Sequence, residues 1–286
     1  NKRILLFLIE EKMIIFDKYI YKNIISEKFS KYYYKQYFYP EIQKFLNQSN
    51  AKLVEDFYKK RKIGENDGYI CQLIQRDSVE EFIAYVNRNN YSLNSSIKPS
   101  IYETNPFLIK YKPIIINQNY GWGNRNVANN NRNVDNDGLT LIKYAAFFGS
   151  IQIFKYLQMS GVKLTPSLWL YVIHSKNAEL IHLLEENHVL PYDQTYKECF
   201  LESIKCHHND IAFYFQNNFV HNVTQNDIIL NSIRYYNFAF MQNNIIDGNL
   251  FFYLVQYDYF ILLLNIIENE NINTIRKTYN IEIIFF

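Results

Sequence analysis

Eight glycines and six prolines among 286 residues leave little material for the tight turns of a many-stranded sandwich or barrel. Three cysteines, Cys71, Cys199 and Cys206, are too few and odd in number for a disulfide framework. That usage predicts a reducing, intracellular setting, the cytoplasm by default. Long apolar runs are scarce too. The run from Ile4 to Ile9 is too short for a signal core or a membrane span. The best membrane candidate, Leu250 to Ile267, is interrupted by Gln256, Asp258 and Asn265. It reads as two buried antiparallel helices meeting near Tyr257–Asp258, so no membrane association is expected. The chain begins at Asn1 and ends in "IEIIFF", which predicts a fragment of a longer chain.

What is abundant is apolar and aromatic: 48% hydrophobic residues and 17% Phe, Trp and Tyr. This is ample for a core and far from a disordered composition. The formal net charge is +2, unevenly spread, because residues 1–62 hold 14 Lys and Arg against 7 Asp and Glu. A basic segment offers itself to nucleic acid or to an acidic partner, but a solvated helical face explains the same letters. The run "KKRK", Lys59 to Lys62, reads likewise as a charged helix end. The tyrosines at 32, 33, 34, 37 and 39 have the composition of a base-stacking platform, yet helix packing accounts for them in so tyrosine-rich a chain. Three long helices are expected here, from about Lys2 to Phe16, Tyr19 to Tyr39 and Pro40 to Arg61, with Pro40 as a boundary.

Beyond this region an internal repeat sets the organisation. "TLIKYAAFFGSIQIFKYLQMSGV" (Thr140–Val162) aligns without a gap with "SLWLYVIHSKNAELIHLLEENHV" (Ser167–Val189) at an offset of 27. An offset of 31 carries Leu170 onto Leu201, Ile173 onto Ile204 and Leu180 onto Ile211; a further 29 carry Leu201 onto Leu230 and Ile204 onto Ile233. That last copy has a shortened second helix, about Phe238 to Gln242, and residues 250–270 give a looser final one. An earlier copy is "GYICQLIQRDSVEEFIAYVNRNNY", with Phe82, Ile83 and Val86 at the positions of Ile153, Phe154 and Leu157. Each unit reads helix, polar turn, helix, with apolar residues three and four apart. The turns carry Gly149, Lys176–Asn177, His208–Asn209 and Asn237, where Gly and Asn suit a left-handed residue between helices. So small a unit exposes too much of its apolar face to stand alone, so the copies must stack, and Ala145–Ala146 keep a first helix slim enough to do so. Residues 114–133, "IIINQNYGWGNRNVANNNRN", break the pattern as an asparagine-rich insertion. The domain organisation is therefore a basic helical region 1–62, a degenerate repeat 63–98, a linker with the insertion 99–134, and stacked repeats 135–286.

"DNDGLTLIKYAAFFGSIQIFKYLQMSGV", Asp135 to Val162, resembles the ankyrin repeat. Asp135, Gly138 and Thr140 match its hairpin and helix start, Ala145–Ala146 its alanine pair, Gly149 its inter-helix glycine and Gly161 its closing glycine. The family's Thr-Pro-Leu-His is "TLIK" here, with Lys143 in place of the capping histidine. A narrower resemblance, spanning about residues 15 to 220, rests on "KKRKIGENDGYICQLIQRDSVEEFIAYVNRNNYSLNSSI", "SIYETNPFL", "YAAFFGSIQIFKYL" and "LWLYVIHSKNAELIHLLEENHV". These look like a domain of unknown function that accompanies ankyrin repeats in large protozoan families; the insertion after Pro113 departs from it. The resemblance implies an all-α, ankyrin-type solenoid preceded by a helical region. Its role would be a protein-binding scaffold whose concave face is lined by loop tips and the exposed ends of the first helices. Carried over by position, that face takes Asn136, Asp137 and Leu139, then Phe147 and Phe148, His174 and Ser175, and Lys205 and Cys206. Phe147 and Phe148 are the expected anchors, with packing against the insertion as the other reading.

Metal chemistry finds little support in the spacing. Cys199, Cys206, His207 and His208 fit no common zinc pattern, and the repeat puts Cys199 at an apolar position equivalent to Leu168. The expectation is a half-buried cysteine and an exposed histidine pair at a turn. Glu179 and His182 make a Glu-x-x-His unit without the second copy that a di-iron bundle needs, and His182 and His188 lie on different faces. Gly121-Trp122-Gly123 lacks the lysine and Ser/Thr of a phosphate loop, and no nucleophile elbow or kinase signature is present. A non-catalytic chain without metal or cofactor, binding a protein partner, is the first expectation; a nucleic-acid role through residues 1–62 is the second.

Overall fold

The computed structural model describes residues 1–26, 33–46, 55–109, 138–221, 223–237, 253–260 and 263–264. Among the described residues the regular structure is helical. The extended backbone is confined to an isolated antiparallel bridge between Ser96 and Thr140, tied by Ile97 N–H to Leu139 O at 2.6 Å. The protein is thus all-α. It divides into two compact units, Asn1–Lys163 and Leu164–Phe286.

The first unit opens with α1, Lys2–Glu10, α2, Lys18–Ile25, α3, Tyr34–Tyr37, and α4, Tyr39–Ile42, which runs into a 3₁₀ turn at Gln43–Phe45. The long helices expected here are broken up. The first stops at Glu10 because Lys12 takes a left-handed conformation, and Asp17 starts the next one by accepting from Ile20 N–H at 2.8 Å. Pro40 lies in the first turn of α4, where its missing N–H costs nothing. Leu6, Phe16, Ile24, Tyr37, Phe38 and Ile42 form a core among these pieces. Lys2, 2% exposed, leaves α1 to donate to Ile101 O at 2.8 Å and Glu103 O at 3.0 Å, with its ammonium over the Tyr37 ring. Burial lowers its pKa to about 8, against the opposing pull of Glu103.

α5, Glu55–Ile63, leads to two helical pairs: α6, Tyr69–Gln75, with α7, Val79–Arg88, and, after α8, Pro106–Ile109, α9, Leu141–Phe148, with α10, Ile151–Met159. First helix lies against first helix (α6 on α9) and second against second (α7 on α10). The second unit repeats the plan in α11, Leu168–Ser175, and α12, Ala178–Glu186, then α13, Lys197–Lys205, and α14, Asn209–Asn218, then α15, Gln225–Arg234. There α11 lies on α13 and α13 on α15. Past them the chain is helical at 253–256, turns at Tyr257–Asp258 and is helical again at Phe260, with Leu254 buried against Ile229 and Ile233. The expected turn at Tyr257–Asp258 is present, but the helices beside it are not buried as expected, since Val255, Phe260 and Leu264 are exposed. The expected short helix at Phe238–Gln242 and the insertion at 114–133 lie outside the described residues.

Burial follows the sequence register. Leu141 and Leu168, Ile153 and Leu180, Leu157 and Leu184, and Ile173, Ile204 and Ile233 are all fully buried. The turns follow it as well. Between the two helices of successive pairs one residue is left-handed: Asp77, Gly149, Lys176, His207 and Tyr236, with Asp258 in the final copy. The sequence pointed to Asn for this conformation. In three turns the residue just before the asparagine or histidine adopts it instead, which leaves Asn177, His208 and Asn237 to use their side chains.

Asn177 caps its own α12, accepting from Glu179 N–H at 3.0 Å and Leu180 N–H at 3.4 Å, whereas His208 and Asn237 tie neighbouring pairs together. In four turns the side chain that follows the left-handed residue bonds to an isoleucine carbonyl in the last turn of the preceding first helix. Ser150 Oγ donates to Ile74 O at 2.5 Å, His208 Nδ1 to Ile173 O at 2.8 Å, Asn237 Nδ2 to Ile204 O at 2.8 Å and Tyr259 Oη to Ile233 O at 2.7 Å. Each of these carbonyls stands three residues before the left-handed residue of its own turn and also accepts that residue's N–H at 2.9–3.2 Å, so the tie is its second bond at the helix end. In the first unit the tie is reciprocal. Ser150 precedes α10 but spends its hydroxyl on Ile74, and the Asp77 carboxylate reaches across to accept from Gln152 N–H at 3.0 Å and Ile153 N–H at 2.9 Å. Lys143, where the ankyrin pattern has histidine, donates to Gly138 O at 3.3 Å and so closes the turn by another route.

Candidate functional site

The residues expected to face a partner fall into two groups, one in each unit. Asn136 and Asp137 lie outside the described residues. Leu139 is half-buried and its carbonyl is taken by the bridge to Ile97. Phe147 and Phe148 end α9 half-buried rather than free. Phe147 stacks on Phe107 with centroids 5.8 Å apart and ring planes at 16°, Phe148 lies 4.7 Å from Tyr144, and the two rings meet at 5.2 Å. They form one aromatic cluster with Phe107, a residue of α8. Packing against the insertion itself, the other reading, concerns residues outside the described ones.

In the second unit the structure brings together His174, Lys205 and Cys206. His174 is the penultimate residue of α11; Cys206 follows the last residue of α13. His174 Nε2 lies 3.0 Å from Glu202 Oε1, and Lys205 Nζ donates to the same oxygen at 2.6 Å. Cys206 Sγ lies 3.5 Å from His174 Nδ1 and 3.7 Å from Nε2. Near-equal distances to both ring nitrogens put the sulfur over the ring rather than in line with either lone pair. Burial raises the Glu202 carboxyl, but His174 and Lys205 outweigh it and hold the group below the usual carboxylate range. Burial and the Glu202 charge push the Cys206 thiol up to about 12 despite Lys205. A thiol so hard to ionise, over rather than beside its imidazole, is a poor nucleophile. Ser175 serves its turn instead, donating to Val172 O at 2.7 Å and accepting from Asn177 N–H at 3.2 Å.

Glu202 escaped the sequence reading. The offset of 31 aligns it with Tyr171, a core position, and its acid character had no counterpart among the repeats. The available signal was its spacing of four from Cys206, which places both side chains on one helical face.

Other candidates resolve differently. Cys199 is buried and its thiol is driven well above its ordinary value by burial, as expected from its equivalence to Leu168. His207 is exposed, its Nε2 at 2.7 Å from Tyr235 O, but His208 is half-buried in its tie to Ile173 O, so the histidines are not an exposed pair. Glu179 and His182 are exposed, and His182 pairs with Glu185 at 3.1 Å. In "KKRK" Lys60 bridges Asp56 and Asp67, while Arg61 is buried against Glu41 at 2.9 Å and the rings of Tyr37, Phe57 and Tyr58, which leaves Lys59 and Lys62 outward. Tyr37 is fully buried with its hydroxyl on Arg61 O, whereas Tyr33 is exposed; Tyr32 lies outside the described residues. Among the described residues no helix is long and apolar enough to cross a membrane. No family model, no curated protein and no solved structure matches this chain.

Proposed function

We propose that the chain is an array of ankyrin-type helical repeats that binds a protein partner and catalyses no reaction. One observation carries the reading: a left-handed residue recurs between the helices of pair after pair, and in four of these turns the side chain after it is tied to the preceding isoleucine carbonyl. A repeating tie of this kind holds equivalent positions in register from one repeat to the next. The ends of the first helices then present side chains that vary while the skeleton does not, as binding arrays do. Phe147–Phe148, His174–Ser175 and Lys205–Cys206 occupy those ends. The alanine pair Ala145–Ala146, both fully buried, and Gly138, Gly149 and Gly161 at positive φ support the ankyrin-type assignment of the Asp135–Val162 repeat.

The test is affinity capture with the full chain against Phe148→Ala, which opens the aromatic cluster, and Lys205→Glu, which reverses a charge in the second group. Each sample is run with and without nuclease and accompanied by a thermal melt. A protein whose capture falls in either variant, with helical circular dichroism retained and nuclease without effect, supports the reading. Capture lost on nuclease treatment replaces it with the nucleic-acid role of residues 1–62, and capture indifferent to both variants contradicts it.

A further inference from the structure

Among the described residues, one group of three potential metal donors converges: His174, Glu202 and Cys206, whose ligand atoms all lie within 4.8 Å of one another. Two come from one helix end at a spacing of four, and the third comes from the neighbouring first helix. We propose that these three side chains form a mononuclear site for a zinc-class divalent cation, clasping one helical pair to the next, with water in the fourth position.

The chemistry fits the donors. A borderline cation takes imidazole nitrogen, thiolate sulfur and carboxylate oxygen together, where calcium or magnesium takes oxygen alone. Bond lengths of about 2.0–2.1 Å to nitrogen, 2.0–2.2 Å to oxygen and 2.3 Å to sulfur give tetrahedral edges of roughly 3.3–3.6 Å. Taken through one ring nitrogen, Nε2, the donors stand at 3.0 Å from the Glu202 oxygen and 3.7 Å from the Cys206 sulfur, close to those edges, and binding needs the imidazole to turn so that its lone pair faces the cation. His174 and Glu202 are each 15% exposed at the side chain, shielded enough to favour inner-sphere binding yet open to an entering ion. Three protein donors and a water are the coordination of an open zinc site.

Lys205 makes the proposal specific. Its ammonium sits at 2.6 Å on the Glu202 oxygen that faces His174, the oxygen a cation would claim. Binding therefore displaces a charge already present and releases the Cys206 proton to solvent, as metal coordination of a thiol does. The site is independent of the protein-binding reading, since it neither requires nor excludes a partner.

The experiment is titration of the full chain, stripped with a chelator, with Co²⁺ and then Zn²⁺, read by absorption. The expected result is one Co²⁺ per chain with a sulfur-to-cobalt charge-transfer band and the intense d–d bands of four-coordinate cobalt, bleached by Zn²⁺. Cys206→Ser abolishes the charge-transfer band, and His174→Ala or Glu202→Gln weakens binding by roughly tenfold or more. Absence of saturable binding overturns the proposal, as does a charge-transfer band that survives Cys206→Ser. Lys205→Met keeps all three donors and protects the test if the Cys206 variant fails to fold. Its Co²⁺ affinity rises several-fold if the metal displaces the ammonium, and an affinity unchanged or lowered overturns the assignment.

Discussion

Asp77 offers the sharpest test of how the first unit is held together. Its carboxylate accepts from Gln152 and Ile153 N–H across 75 and 76 residues of sequence, at the positive end of α10, whose own preceding residue is occupied elsewhere. Removing such a cap costs about 0.5–2 kcal/mol. Asp77 is also left-handed, with φ at 50°, and an alanine there adds about 1–2 kcal/mol of backbone strain. Asp77→Ala is therefore expected to lose about 1.5–4 kcal/mol, a fall in melting temperature of about 3–16 °C for a unit of this size. Asp77→Gly keeps the backbone conformation and loses only the cap, so it falls about half as far. Asp77→Asn keeps an acceptor and tolerates the left-handed region, and loses about 0.3–1 kcal/mol with the charge. Thermal melts give the magnitudes, and hydrogen exchange at the amides of residues 152 and 153 gives the location. An Asp77→Ala protein that melts with the wild type, or one whose two amides keep their protection, refutes the reciprocal cap.

Three further outcomes follow from the geometry. Ser150→Ala removes the tie to Ile74 O, but that carbonyl keeps its bond from Asp77 N–H, so a loss of about 0.5–1.5 kcal/mol in urea unfolding is expected; the control Met159→Ala, at an 86% exposed position, stays within about 0.5 kcal/mol of wild type. Gly64→Ala places a Cβ 2.8 Å from Thr104 Oγ1 at a backbone φ of 75°, and loses more than the about 1–2 kcal/mol of left-handed strain alone, measured as a shift of the urea midpoint. Lys2 binds a proton less tightly folded than unfolded, from its ordinary 10.5 down to about 8, so across that window the unfolded chain holds more protons and this group's contribution to stability rises with pH. The difference in unfolding free energy between wild type and Lys2→Met should drift in favour of wild type from pH 8 to 10.5; a flat difference would show that Lys2 is not buried as described.

The helical class and the register of the repeats were legible in the sequence because both are written in apolar spacing. Leu141, Leu168 and Cys199, or Ile173, Ile204 and Ile233, are buried alike because each fills the same place in its pair. The ties between pairs were not legible. Their donors are Ser150, His208, Asn237 and Tyr259, four residue types that share a position and a carbonyl acceptor but no chemistry that a motif could register. The N-terminal helices were overdrawn for a related reason. Apolar residues continue through Met13, Ile14 and Ile15, but the left-handed Lys12 turns the chain so that Met13 and Ile15 stand exposed and only Phe16 enters the core. At the candidate site the sequence reading placed His174, Lys205 and Cys206 at one level of neighbouring repeats, and the structure joins them; the residue that joins them, Glu202, was hidden at a position aligned with a core tyrosine.

The protein-binding reading is tested most directly by asking what touches the ends of the first helices in the cell. A photo-reactive amino acid is introduced singly at positions 148, 175 and 205, at the ends of first helices, and at 159, 186 and 218, at the ends of second helices. The account predicts protein adducts at the first three positions and none at the other three. Adducts to nucleic acid, or protein adducts confined to 159, 186 and 218, would contradict it.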